Sequence, residues 1–166
     1  MHNIFKIMDD VINFDTAQAH CDIPCGIYDP AAAQLAALSC VRYMDLINEI
    51  DDTQSLKLLD YTKASRLIAE KESALIELKE AICVIWGDYF KEAQFKQIPT
   101  ANELTHSIMT QASKCKQTHD RKEGEILVSL VNKFTTAFWL TKDISTFKAI
   151  CPYQPKLEVV YPDLKN

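Results

Sequence analysis

"DRKEGEILVSLVNKFTTAFWL", from Asp120 to Leu140, is the stretch that decides the fold. Along it and just beyond, Leu127, Leu130, Val131, Phe134, Phe138 and Thr141 recur at steps of three and four residues. That spacing lays them along one face of a helix. The helix is predicted to open near Asp120 and run to about Phe147. One helix cannot bury such a stripe alone, so the rest of the chain must supply partners.

Three further segments supply them. Asp29-Pro30 is a helix start, with an N-cap oxygen followed by a proline at a position whose N–H has no helical partner. The helix it opens runs to about Glu49, carrying Leu35, Leu38, Met44, Leu46, Ile47 and Ile50, and breaks at Asp51-Asp52-Thr53. A second spans about Thr53 to Lys91, with Leu59, Leu67, Leu75, Leu78, Ile82, Ile85 and Trp86 at helical steps; Gly87 and the segment to Pro99 mark its end. A third covers about Ala101 to Thr118 through Leu104, Ile108 and Met109. Pro152, Pro155 and Pro162 keep the tail, 151–166, extended. The expected architecture is all-α: an antiparallel four-helix bundle over 29–150, with a short N-terminal segment ahead of it.

Composition agrees. The 166 residues are 48% hydrophobic and 25% charged with only three glycines, a globular profile that favours helices over turn-rich β structure. A net charge of −5 and the lack of a basic stripe argue against nucleic acid as a partner. No apolar run reaches the ~20 residues of a membrane span. An anionic ligand gains nothing from the global charge and needs local steering. Of the six cysteines, Cys40, Cys83 and Cys115 fall in helices and read, with Cys151, as buried free thiols. That usage fits a reducing, cytoplasmic setting.

Residues 1–19 make a poor secretion signal, since Asp9, Asp10 and Asp15 interrupt the apolar stretch and Lys6 is its one basic residue. They do end in a small-x-small cleavage pattern, Ala17-Gln18-Ala19. The segment is read as a propeptide removed by a processing peptidase. Directly after it comes the dense run "HCDIPCGIYDP", His20 to Pro30.

Taken alone, Cys21-x3-Cys25 is wider than a redox C-x-x-C and lacks a second cysteine pair for a zinc site. Cleavage after Ala19 changes its chemistry. His20 then offers a primary amine, an imidazole and the amide nitrogen it shares with Cys21. Amine to amide closes one five-membered chelate ring, and the Cys21 amide to its own thiolate closes another. Cys25 supplies the fourth corner across a turn helped by Pro24 and Gly26. Two nitrogens and two sulfurs in a plane suit a square-planar ion such as Ni(II) or Cu(II), with the His20 imidazole available as an axial ligand.

The same eleven residues, His20 to Pro30, resemble the metal-binding hook of nickel-containing superoxide dismutases. "IWGDYFK", Ile85 to Lys91, is similar to that family's segment at the end of its second helix. The order and lengths of the helices agree over roughly 19–150. The resemblance implies disproportionation of superoxide to dioxygen and hydrogen peroxide, with nickel alternating between the +2 and +3 states. It implies as ligands the His20 amine and imidazole, the Cys21 amide and thiolate, and the Cys25 thiolate, in a hook spanning 20–28. Asp22, Pro24 and Gly26 would shape the hook. Tyr28 and Tyr89 match tyrosines beside the open face of the metal, where they order water and limit access to small anions. A homohexamer is implied as well.

The pattern departs at two places. Ala36 stands where the family often has a glutamate partnering the hook imidazole, and Ala74 where it has an arginine behind it. Apart from the resemblance, Tyr28 and Tyr89 read as packing residues and Trp86 and Trp139 as core, while Asp88 is solvated or capping. His2, His106 and His119 read as surface residues without cluster partners. A non-catalytic bundle that stores or delivers nickel or copper would use the same donors, and is the alternative reading.

Overall fold

Asp29 turns the chain into its first helix. Its Oδ1 accepts the Ala31 N–H at 2.8 Å, and the first helical bond runs from the Gln34 N–H to the Pro30 carbonyl. The computed structural model describes residues 26–50 and 57–164. Among these, the helices are α1 (Ala31–Asn48), α2 (Leu58–Val84), α3 (Glu92–Gln97), α4 (Ala101–Lys116) and α5 (Arg121–Leu140). A single π-helical turn, Ile85–Tyr89, follows α2, and two strands, β1 (Thr146–Ile150) and β2 (Glu158–Pro162), close the chain.

The long helices form a four-membered ring in cross-section: α1 packs on α2 and α5, and α4 packs on the same two helices from the other side. The stripe on α5 is buried as its spacing requires, through Leu127, Val131, Phe134 and Phe138. The face of α1 differs from the expected one. Its buried residues are Ala33, Ala36, Ala37, Leu38, Cys40, Val41 and Met44, whereas Leu35 is exposed. Small side chains carry this contact because the helices approach closely. A Cβ added to Gly124 of α5 would stand 2.7 Å from Val41 Cγ2 and 3.1 Å from Met44 Sδ. The first turns of α2 point into solvent, with Leu58, Leu59 and Tyr61 exposed; its buried part begins at Lys71. Cys83 is exposed rather than buried, and so is Trp86, whose Nε1 donates to Asn102 Oδ1 at 2.8 Å. Trp139 is buried as expected.

Helix α5 stops at Leu140, short of the expected Phe147. Asp143 takes a left-handed φ of 58°, which lets the Ile144 N–H reach the Trp139 carbonyl and the Asp143 N–H reach Leu140, a Schellman ending. The next residues belong to an antiparallel hairpin in which Lys148 faces Val160. Its bonds from the Cys151 N–H to Leu157 O and from the Asp163 N–H to Ser145 O fix the parity of the ladder. On β2 the backbone groups of Glu158, Val160 and Pro162 therefore point away from β1. Proline has no N–H there, and three of the other groups are met by side-chain amides. Asn132 Oδ1 accepts the Val160 N–H, Asn132 Nδ2 donates to Glu158 O, and Gln34 Nε2 donates to Val160 O. Asn132 and Gln34 thus seal the strand edge onto α5 and α1.

Candidate functional site

Four chain ends converge at one end of the bundle: the start of α1, the end of α2, the start of α4 and the end of α5. This convergence results from alternating helix direction. The segment 26–28 enters α1 there. Gly26 has φ +70°, a left-handed turn that an L side chain would strain, which fits a chain reversing ahead of the helix. His20, Cys21 and Cys25 lie outside the described residues.

Tyr28 and Tyr89, far apart in sequence, meet at this end with ring centroids 5.6 Å apart and planes inclined by 45°. The π turn is what delivers Tyr89. Its wider winding, closed by the Phe90 N–H on the Ile85 carbonyl at 3.2 Å, turns the end of α2 so that Tyr89 lies against Phe138 of α5, 5.0 Å between centroids. Lys91 Nζ reaches back to the Gly87 carbonyl at 3.1 Å and ties the turn's far side.

The Tyr89 hydroxyl has a defined direction. Thr141 Oγ1 lies 2.7 Å from it and also 2.6 Å from the Phe138 carbonyl. A threonine hydroxyl has one proton, and the carbonyl can only accept it, so Tyr89 is the donor in the shared contact. Tyr89 Oη retains acceptor capacity as a result. Lys142 Nζ sits 4.7 Å from the Tyr89 ring centre and 5.2 Å from that of Phe138, a cation held over two aromatic faces. Thr141 and Lys142 lie three and four residues beyond Phe138 on the same helix side. Thr141 belongs to the expected α5 stripe, whereas the sequence reading did not single out Lys142; the π turn shows what both meet.

Ala36 and Ala74 are both buried and neither can hold or orient an imidazole. The positions read in sequence against the family's glutamate and arginine thus carry core methyl groups. His106 is exposed, as expected; His119 is half-buried, and its Nδ1 lies 3.3 Å from Lys71 Nζ. Among the described residues no group of three or more His, Cys, Asp or Glu side chains could hold a metal, and no helix is long and apolar enough to cross a membrane.

Comparison with known proteins gives a consistent result. A profile of the nickel-containing superoxide dismutases matches residues 15–142. The nickel superoxide dismutase of Streptomyces coelicolor is 30% identical over 127 residues, which cover 76% of this chain and 91% of the relative. That of Streptomyces seoulensis is 31% identical over 124 residues, covering 75% and 88%. A solved structure of native nickel superoxide dismutase superimposes with a TM-score of 0.66 at 29% identity, over 74% of this chain and 99% of that one. The apo form gives 0.63 at 26% identity, over 71% and 99%. The matched region stops at Lys142, two residues past α5, so the hairpin lies outside it. With its helical order, its tyrosine pair and its hook sequence, the chain belongs to the nickel-containing superoxide dismutase family.

Proposed function

We propose that this superoxide dismutase works at a nickel centre built from His20, Cys21 and Cys25, completed when a peptidase removes residues 1–19. The observation that supports the reading is the contact of Tyr28, just after the hook sequence, with Tyr89 of the π turn. The donor set fits the ion: an amine, an amide and two thiolates are strong anionic and neutral donors of the kind that favour nickel over zinc. Bound there, nickel supplies one-electron chemistry between its +2 and +3 states.

The chain's own residues supply the rest. Tyr28 and Tyr89 fence the approach with ring faces, which admits a small anion and excludes larger ones. Tyr89 Oη, donating to Thr141, can accept from water ordered beside the site. Lys142 adds the local positive charge that a chain of net charge −5 otherwise lacks. With alanines at 36 and 74, these positions would supply no side chain to hold or orient the His20 imidazole if it binds the nickel. Assembly as a homohexamer, by which neighbouring subunits would shield the hook, and a cytoplasmic location complete the proposal.

The test is native and intact mass spectrometry of the active protein, together with Cys21→Ser and Cys25→Ser. The expected results are a chain starting at His20, one nickel per chain, and loss of nickel and turnover in both variants. An active chain still starting at Met1, or a serine variant with unchanged nickel and turnover, overturns the assignment. Tight nickel binding without superoxide turnover would instead support a metal-delivery role.

A further inference from the structure

Away from the tyrosine pair, where α4 ends and α5 begins, the bundle holds a buried lysine that dismutation does not use. Lys71 of α2 is fully buried, and its Nζ meets the C-terminal end of α4. It donates to the carbonyls of Cys115 at 2.9 Å, Lys116 at 3.3 Å and Thr118 at 2.7 Å. Such an end carries orphan carbonyls and the negative pole of the helix, so a cation is stabilised there. Three carbonyls match the three N–H bonds of an ammonium, whereas a neutral amine has only two. Lys71 is therefore charged, although burial pulls its pKa below the ordinary 10.5.

The fourth neighbour of Nζ is His119 Nδ1, at 3.3 Å. An ammonium has no lone pair to offer, so Nδ1 is bare and the ring proton sits on Nε2. The backbone of His119 is pinned on both sides. Its carbonyl accepts from Asn48 Nδ2 of α1 at 2.9 Å, and the N–H of Asp120 is held by Thr118 Oγ1 at 3.0 Å. Among the described residues the imidazole has no carboxylate partner. Asp120 Oδ1 accepts the Lys122 N–H at 3.0 Å, Asp45 of α1 holds Arg121 of α5, and Glu123 of α5 holds Lys114 of α4 at 2.8 Å. Lys71 feels Glu72 of its own helix and the thiols of Cys40 on α1 and Cys115 on α4. Burial, and then the Lys71 charge, hold the His119 pKa below the ordinary 6.5.

We propose that Lys71 and His119 form an acid-sensitive latch, which releases the turn between α4 and α5 from α2 when His119 takes up a proton. The proton goes to Nδ1, and the contact with Nζ at 3.3 Å changes from donor against acceptor to donor against donor. The Lys71 side chain is enclosed on all sides, so the turn and not the lysine has to yield. The Thr118 and Lys116 carbonyls and the tie from Asn48 go with it. A base whose folded pKa lies below its unfolded one gives stability that is fully present above the unfolded value and lost as pH falls through the folded one. The latch needs nothing from the dismutase reading, since Tyr28 and Tyr89 meet at the opposite end of the bundle.

The test holds the nickel-loaded protein at a series of pH values and follows deuterium exchange at the imidazole C2 and at the backbone amides by mass spectrometry. The His119 midpoint should lie below that of the same residue in the urea-unfolded chain. Amide protection over 113–120, corrected for intrinsic exchange, should fall across the interval between the two midpoints. The loss should be about tenfold for each pH unit that separates them. His119→Asn puts an oxygen near the place of Nδ1 and takes up no proton, so its protection should stay level over that interval. The readout is the change with pH, which survives any general loosening by the substitution. A His119 midpoint at or above the unfolded one overturns the proposal. So does a protonated His119 whose turn keeps its protection, the ring having swung out alone, or an equal loss with acid in His119→Asn.

Discussion

The contact between Tyr89 and Thr141 yields a prediction whose sign and size both derive from one proton. Tyr89→Phe removes only the donor of a neutral O–H···O bond of 2.7 Å; Thr141 keeps its own bond to the Phe138 carbonyl, and the ring keeps its contacts with Tyr28, Phe90 and Phe138. Nothing is orphaned, so the cost in folding stability is about 1 kcal/mol. Thr141→Val is harsher. It strips the Tyr89 hydroxyl of its acceptor and deprives the Phe138 carbonyl of a donor, which costs about 1–3 kcal/mol. The double variant should then cost less than the sum, by about 0.5–1 kcal/mol, because the second change removes the donor that the first left unmatched. Urea denaturation of the three variants and the parent measures all four corners. In parallel, Tyr89→Phe should retain nickel, with its effect confined to turnover. Strict additivity, or a Tyr89→Phe cost above that of Thr141→Val, would refute the assigned donor direction.

Three other outcomes are expected. Gly124→Ala places a methyl group 2.7 Å from Val41 Cγ2, an overpacking cost of about 1–3 kcal/mol that outweighs the ~1 kcal/mol gain in helix propensity, so the melting temperature falls and Val41→Ala in the same chain restores part of it. Asn132→Leu leaves the Val160 N–H and the Glu158 carbonyl without their partners, each worth about 1–3 kcal/mol if no water replaces it; loss of hydrogen-exchange protection at the Val160 amide should report it, and unchanged protection would refute the edge seal. The Glu123 carboxylate accepts from Lys114 Nζ and from Gln111 Nε2, each at 2.8 Å, which holds its pKa below the ordinary 4.5. A folded-state value below the unfolded one means a contribution fully present above the unfolded pKa and lost as pH falls through the folded one, so the stability gap between Glu123→Gln and the parent should be present at neutral pH and close on acidification.

How much the sequence discloses depends on how local the cause is. The α5 stripe is legible because burial of Leu127, Val131, Phe134 and Phe138 needs nothing but helical spacing. The face of α1 is not, because hydrophobicity points to Leu35, whereas close approach of Gly124 selects the alanines and Cys40. The stop of α5 hides in Asp143, which tolerates a left-handed φ less obviously than the glycine such endings favour. The hairpin is hidden for another reason: its edge is closed by Gln34 and Asn132, two amides on helices distant in sequence that look like ordinary surface residues. At the proposed site, the hook donors rest on chelate chemistry and resemblance and lie outside the described residues, while the matched motifs single out Tyr28 and Tyr89, which the structure brings together. Their meeting required the π turn, and a five-residue change of winding leaves no periodic signal in "IWGDY".

An acidic chain acting on an anion poses an electrostatic problem that the bundle end addresses locally. At physiological ionic strength the screening length is about 8 Å, so charges spread over the rest of a chain with net charge −5 are largely damped at the site. Lys142 is inside that length, 4.7 Å from the Tyr89 ring centre. Two aromatic faces hold its ammonium without neutralising it, as a carboxylate would. Tyr89, one of the two rings proposed to fence the approach, thus also helps to fix the cation, and the hydroxyl that orients Tyr89 belongs to the residue just before it. On the proposed reading, a narrow entrance, a directed phenol and a local positive charge all come from the residues just past α5 meeting the π turn that follows α2.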